Sequence, residues 1–194
     1  MEAAALVAAG LAELARVVEA LRAQASLIAQ VAEELLARLR AGGRIYVAGN
    51  GGSACEAMHF VEELVARYRG DRPALPAHHL LDPGVLTCWA NDVAFDDVFR
   101  RQVEAYVRPG DAVVLLTTSG RSANLLAAAR AARQQGAYVV ALSGRDGGPL
   151  VALCDAAVVV PAQDTARIQE AHLAILHLWC ERFERAFAPL PPSS

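Results

Sequence analysis

From residue 44 onward the chain alternates short β-branched or apolar runs with stretches of helical periodicity, and this alternation narrows its architecture more than any other feature. The segments "RIYVAG" (44–49), "ALPAHHLL" (74–81), "AVVLLTT" (112–118), "AYVVALSG" (137–144) and "AAVVVP" (156–161) read as strands. Helices are expected at 53–68, near 95–107, at 122–135, briefly near 148–153, and from about 164 to 187. Strands that alternate with helices are joined by right-handed crossovers, which produce a mainly parallel sheet covered on both faces. The expected fold is therefore α/β, a doubly wound sheet of five parallel strands.

Ahead of this core, apolar residues recur at helical spacing from about 3 to 41 (Leu11, Leu14, Val18, Leu21, then Leu27, Ile28, Val31, Leu35, Leu39). "AGG" at 41–43 ends the run with C-cap chemistry. Two consecutive helices or one bent helix is expected, with more apolar surface than a solvent-facing helix keeps, so it packs on the core or on another subunit. The chain reads as one domain over 1–194, with an N-terminal helical segment (1–41), an α/β core (44–187) and a frayed tail "PLPPSS".

Composition excludes several classes. With 194 residues, 55% hydrophobic, 20% charged and a net charge of −3, the chain has the balance of a compact domain. It has no run of Lys or Arg to serve nucleic acid or an anionic membrane. Cys55, Cys88, Cys154 and Cys180 form no C-x-x-C pair, which argues against a zinc knuckle or a thioredoxin-type centre and suits free thiols in a reducing cytosol. Acids and arginines interrupt the Ala-rich N-terminus every few residues, so it reads neither as a secretory leader nor as a membrane span. A soluble, cytoplasmic protein is expected.

Two junctions after strands carry unusual chemistry. The first is Asn50, Gly51, Gly52, Ser53 and the second Thr117, Thr118, Ser119, Gly120, Arg121, Ser122. In an open parallel sheet, ligands collect at the carboxyl ends of the strands, where helix N-termini present free N–H groups. Taken singly, each junction reads as a tight turn with an N-cap; two in one sheet suit a phosphate monoester held by backbone N–H groups and hydroxyls. Neither matches the P-loop or the dinucleotide fingerprint, which favours a small phosphorylated metabolite. His59 and Glu63, at i and i+4, share a helix face and suit a metal ion, acid–base work or a plain ion pair. On the last helix Gln169 and His177 are eight residues apart, about 12 Å of rise. One small site using both is awkward within one chain and easier at an interface between subunits. His172 reads as a core histidine.

The pieces "GNGGSACEAMHFVEEL", "ANDVAFDDVFRRQVEAYVRPGD", "TTSGRSANLLAAARAAR", "ALSGRDGG" and "DTARIQEAHLAILH", in this order, resemble the phosphoheptose isomerases, the sedoheptulose 7-phosphate isomerases of the sugar isomerase (SIS), flavodoxin-like fold. The resemblance implies that Ser53, Thr118, Ser119 and Ser122, with Thr117 where serine is usual, ring a phosphate, and that Asn50, with Gly51 and Gly52 of the same loop, Asn91 and Asp92 contact the sugar. It further implies Glu63 as catalytic carboxylate, His177 as catalytic histidine, and zinc held by His59, Glu63, Gln169 and His177. A homotetramer with active sites between subunits goes with it. Arg121 stands where the family often has Asn. His78, His79 and Trp89 are further departures that bear on substrate choice, the two histidines being expected on opposite faces of their strand. A non-catalytic SIS adaptor that binds a replication initiator, or an isomerase of another phosphosugar, are the competing expectations, and retention of His59, Glu63, Gln169 and His177 together favours the enzyme.

Overall fold

The structure, a computed structural model, describes residues 2–188; the proposed C-terminal tail lies outside them. Five strands, β1 (Ile45–Gly49), β2 (Ala77–His79), β3 (Ala112–Leu116), β4 (Tyr138–Gly144) and β5 (Ala156–Val160), form one parallel sheet in the order β2-β1-β3-β4-β5. Alternation of side chains decides how the faces are filled. Ile45, Val47, Ala112, Val114, Val140 and Val158 pack on one side beneath α2 (Ala25–Arg40), α3 (Gly52–Val65) and α7 (Thr165–Phe187). Tyr46, Ala48, Val113, Leu115, Val139 and Ala141 pack on the other beneath α5 (Val98–Tyr106) and α6 (Ala123–Gln134). Because β1 lies between β2 and β3, the crossovers leave its two sides in opposite directions, and a crevice opens at the carboxyl ends of β1 and β3.

The N-terminal segment is two helices, α1 (Ala3–Leu21) and α2, joined by a single 3₁₀ turn at Arg22–Gln24. Trp179 anchors the α2, α3 and α7 layer: fully buried, it stacks obliquely on Phe60 with ring centroids 6.1 Å apart and donates its indole N–H to the Ile28 carbonyl at 3.0 Å. Truncating a buried aromatic of this kind costs about 3–5 kcal/mol. All four cysteines are free.

Three expectations need correction. A helix unforeseen from the sequence, α4 (Pro83–Asp92), follows β2. Its signal was present: the Asp82 carboxylate accepts from the Val85 N–H at 2.8 Å and Pro83 occupies the first turn. None of its residues is fully buried, so the apolar periodicity that reveals other helices is missing. The short helix expected near 148–153 is only a 3₁₀ turn (Val151–Leu153), whereas the helix expected near 95–107 is present as a 3₁₀ turn (Phe95–Asp97) running into α5. Finally, β2 is three residues long, and at this short sheet edge His78 and His79 stack their rings, 5.5 Å apart and 15° from parallel, instead of diverging.

Candidate active site

The crevice between β1 and β3 holds a cleft of about 240 Å³ lined by Asn50, Gly52, Ser53, Thr117, Thr118, Ser119, Ser122, Thr165 and Gln169, with Leu116 and Leu125 behind them. The starts of α3, α6 and α7 all reach it. How these helices begin separates them. The Asp164 carboxylate caps α7, accepting from the Ala166 and Arg167 N–H groups at 2.9 and 3.1 Å. Gly51 at the start of α3 and Ser122 at the start of α6 make no side-chain capping bond. A turn whose serine merely caps its helix would have closed these N–H groups. In these first turns the Ser53, Ala54 and Leu125 N–H groups are met by the Asn50, Gly51 and Ser122 carbonyls, which leaves those of Gly52, Ala123 and Asn124, together with the Ser122 hydroxyl, for something that enters the cleft.

The loops are fixed by their own polar groups. The Asn50 and Asn124 amides exchange reciprocal hydrogen bonds, each 2.9 Å, and tie the β1 loop to the first turn of α6. Asn50 is thus a latch across the crevice, and Asn124, buried and unremarked in the sequence, is its other half. Its only signal was a polar residue directly after Ser122 and Ala123. The Thr117 hydroxyl, also buried, accepts from the Ser119 and Gly120 N–H groups and shapes the β3 loop. Gly52 has no room for a side chain, since a Cβ there would lie 2.5 Å from the Gln169 amide nitrogen. That close approach lets Gln169 reach over α3 and donate to Ser53 Oγ at 3.4 Å. Asn91 and Asp92 do not line the cleft: they sit at the exposed end of α4, where the Asn91 amide donates to the Asp92 carboxylate at 2.7 Å.

Farther along the same pair of helices, α3 and α7 bring His59, Glu63 and His177 together. One ligand atom from each lies within 4.8 Å of the others. The two imidazole Nε2 atoms are 2.8 Å apart and His59 Nε2 is 3.4 Å from Glu63 Oε1. Two imidazole nitrogens and a carboxylate oxygen, all half-buried, are a donor set that fits a divalent ion of zinc's kind. Burial, followed by the neighbouring Glu62 charge, holds the Glu63 carboxyl above the usual carboxylate range, against the pull of His59, His177 and Arg72. The position of Glu63 is secured by Arg72, nearly inaccessible, whose guanidinium donates to the Glu63, Leu64 and Pro73 carbonyls and faces Glu184 of α7 at 3.4 Å. Sequence reasoning passed over Arg72, because "YRGDRP" looks like an ordinary surface turn.

Of the sequence-derived set, the structure gathers Ser53, Gly52, Asn50, Thr117, Thr118, Ser119, Ser122 and Gln169 at the cleft, and His59, Glu63 and His177 at the cluster. Gln169 stays with the cleft, two helical turns before His177. Ser53 and Glu63 are about 15 Å apart along α3 at 1.5 Å per residue. A second acid escaped notice: Glu56, one turn after Ser53, is buried with its Oε2 unpartnered among the described residues, and burial pushes its carboxyl up to about 7 although the Ser53 hydroxyl draws it down.

Comparison with known proteins bears on this arrangement. Residues 11–144 match the SIS domain family. The phosphoheptose isomerase of Pelobacter propionicus is 47% identical over 161 residues, which cover 82% of this chain and 85% of that protein. Among solved structures, a phosphoheptose isomerase from Neisseria gonorrhoeae superposes with a TM-score of 0.86 at 40% identity, covering 92% of this chain and 97% of that one. One from Francisella tularensis gives a TM-score of 0.90 at 32% identity, covering 95% and 100%.

Proposed function

This chain belongs to the SIS domain family and, within it, to the phosphoheptose isomerases, and from that premise we infer that it is an aldose–ketose isomerase converting sedoheptulose 7-phosphate to D-glycero-D-manno-heptose 7-phosphate in heptose biosynthesis. The observation that carries the reading is the hydroxyl-lined cleft at the switch point of the sheet, onto which the starts of α3 and α6 open with N–H groups of Gly52, Ala123 and Asn124 to give. A phosphate monoester supplies the acceptors those N–H and O–H groups lack.

Isomerisation moves a proton between C1 and C2 through an enediol or enediolate. Glu63 takes the carbon proton, and its raised pKa makes it a stronger base than an ordinary carboxylate. His177, within reach of the same atoms, gives and takes the proton at oxygen. His59, Glu63 and His177 would hold a zinc ion, and because Gln169 of the same copy stays with the cleft, a Gln169 serving as fourth ligand would come from another copy; such an ion would polarise a carbonyl or hydroxyl oxygen. A carboxylate bound to a cation is a weaker base, so metal occupancy and proton abstraction compete for Glu63. Ser53, Thr118, Ser119 and Ser122, on the frame shaped by Thr117, Gly51 and Gly52, hold the phosphate, while Asn50 serves the sugar hydroxyls and Asn91 and Asp92, which lie off the cleft of their own copy, would serve them from another copy.

The working unit in this proposal is a cytoplasmic homotetramer with active sites between subunits. Two observations support it. Leu6, Val7 and Leu11 of α1 are 61–63% exposed, and an apolar groove of about 370 Å³ runs between Val18, Ile28, Ala32, Leu178 and Trp179, surface that a second copy would cover. The roughly 15 Å of helix between Ser53 and Glu63 also sets the cradle of one copy well apart from its own base, a separation that a site shared between two copies would bridge. None of the described helices is long and apolar enough to cross a membrane.

The test is an isomerisation assay with sedoheptulose 7-phosphate, with and without added zinc and with chelator, followed by mass-resolved separation of the heptose phosphates. Product formation is expected, with about one divalent ion per site in protein purified without chelator. A folded tetramer that forms no product in any arm would overturn the assignment in favour of an adaptor or another phosphosugar.

A further inference from the structure

A phosphate monoester is a dianion at neutral pH, yet no charged side chain lines the cleft. We propose that Arg145, on the loop after β4, is the cation that closes on the phosphate and selects phosphorylated over neutral sugars; this rests on the reading of the cleft as a phosphosugar site. Three features of the structure point to it.

The backbone of Arg145 has φ 59°, and among the described residues no other non-glycine residue has a positive φ. An L-residue is held there only by its surroundings, and such residues cluster where a side chain must be aimed. The surroundings here are the phosphate loop itself. Gly120 lies so close to the β4 loop that a Cβ on it would stand 1.8 Å from the Gly147 carbonyl oxygen, and one on Gly148 would stand 2.5 Å from that of Ser119. The two loops are locked together by backbone contact, and Arg145 turns at that seam.

Its guanidinium reaches across to the start of α7, where Nη2 is 3.5 Å from Oγ1 of Thr165, a residue that lines the cleft. That long contact is its only side-chain hydrogen bond among the described residues, and it forms no ion pair there. The neighbouring charges are already engaged. Arg121, rising from the phosphate loop, is paired with Asp146 at 2.5 Å, and the Asp164 carboxylate is turned inward to cap α7. Arg145 is thus the cation at the rim with donors to give, and a planar guanidinium matches two phosphate oxygens at once.

Arg145→Gly provides the decisive variant, because glycine accepts φ 59° without strain and removes the guanidinium while leaving the turn intact. Calorimetric titration with inorganic phosphate and with sedoheptulose 7-phosphate is expected to show affinity about tenfold or more weaker than wild type, with Arg145→Lys in between. KM should rise by the same factor while kcat stays within about twofold, and the melting temperature should be equal or higher. An Arg145→Gly protein that binds both ligands as tightly as wild type overturns the proposal, as does a wild type that binds neither. If phosphate binds in an Arg145-dependent way but sedoheptulose 7-phosphate is not turned over, Arg145 keeps its role and the assigned reaction falls.

Discussion

The two ends of the α3–α7 pair carry opposite kinds of chemical group. At the amino end, the cleft is built from backbone N–H groups, hydroxyls and amides, and nothing lining it titrates. Two to three turns on, the His59, Glu63 and His177 cluster is made entirely of groups that exchange protons or bind metal. A ligand that stays intact is best held by fixed dipoles, which need no reorganisation, whereas a bond that breaks needs groups poised to change charge. The same two helices offer both because an N-terminus presents dipoles and a mid-helix face presents side chains at i and i+4.

The sharpest way to break this division is Glu63→Gln, which keeps the shape of the side chain and removes its basicity. We expect kcat to fall by roughly 10³-fold or more with little change in substrate affinity and an intact oligomer, read by steady-state kinetics and light scattering; an active variant would take the base away from this cluster. At the other end, Ser119→Ala with Ser122→Ala should leave kcat nearly unchanged and raise KM by about one to two orders of magnitude, the weight of one or two hydrogen bonds to a charged group. An unchanged KM would place the phosphate elsewhere.

A smaller effect concerns Glu56, the one acid buried just below the cradle. Its folded pKa, about 7, lies above the ordinary carboxylate value of 4.5 that it has in an unfolded chain. The folded state therefore holds more protons between those values, and the stability this residue contributes is full below about pH 4.5 and is lost as pH rises through 7. Glu56→Gln should accordingly gain stability relative to wild type across that window, reaching on the order of 2 kcal/mol by pH 8. Urea melts at pH 5 and pH 8 measure it, and an equal difference at both would mean that the carboxyl is not held neutral. His172, buried against the Ser143 carbonyl at 3.1 Å and with its pKa lowered to about 4 by burial, works the other way. It costs stability as pH falls from its ordinary range toward 4. The acid and alkaline limbs of the stability profile thus report on different helices.

Sequence by itself determined the β/α alternation, the parallel sheet, the two polar loops and the i, i+4 pair on α3, because each rests on local periodicity or turn chemistry within a few residues. It also marked His172 as core, since apolar neighbours surround it on its helix face. It missed α4, whose capping signal came without a buried stripe. Its local patterns could not show that Asn50 latches to Asn124, that Arg72 clamps the end of α3 onto Glu184, or that Gln169 lies with Ser53, and only the family resemblance put His59 with His177. Those pairings join residues 74, 112, 116 and 118 positions apart, and only the order of strands in the sheet, with the packing of α7 on α3, brings them together.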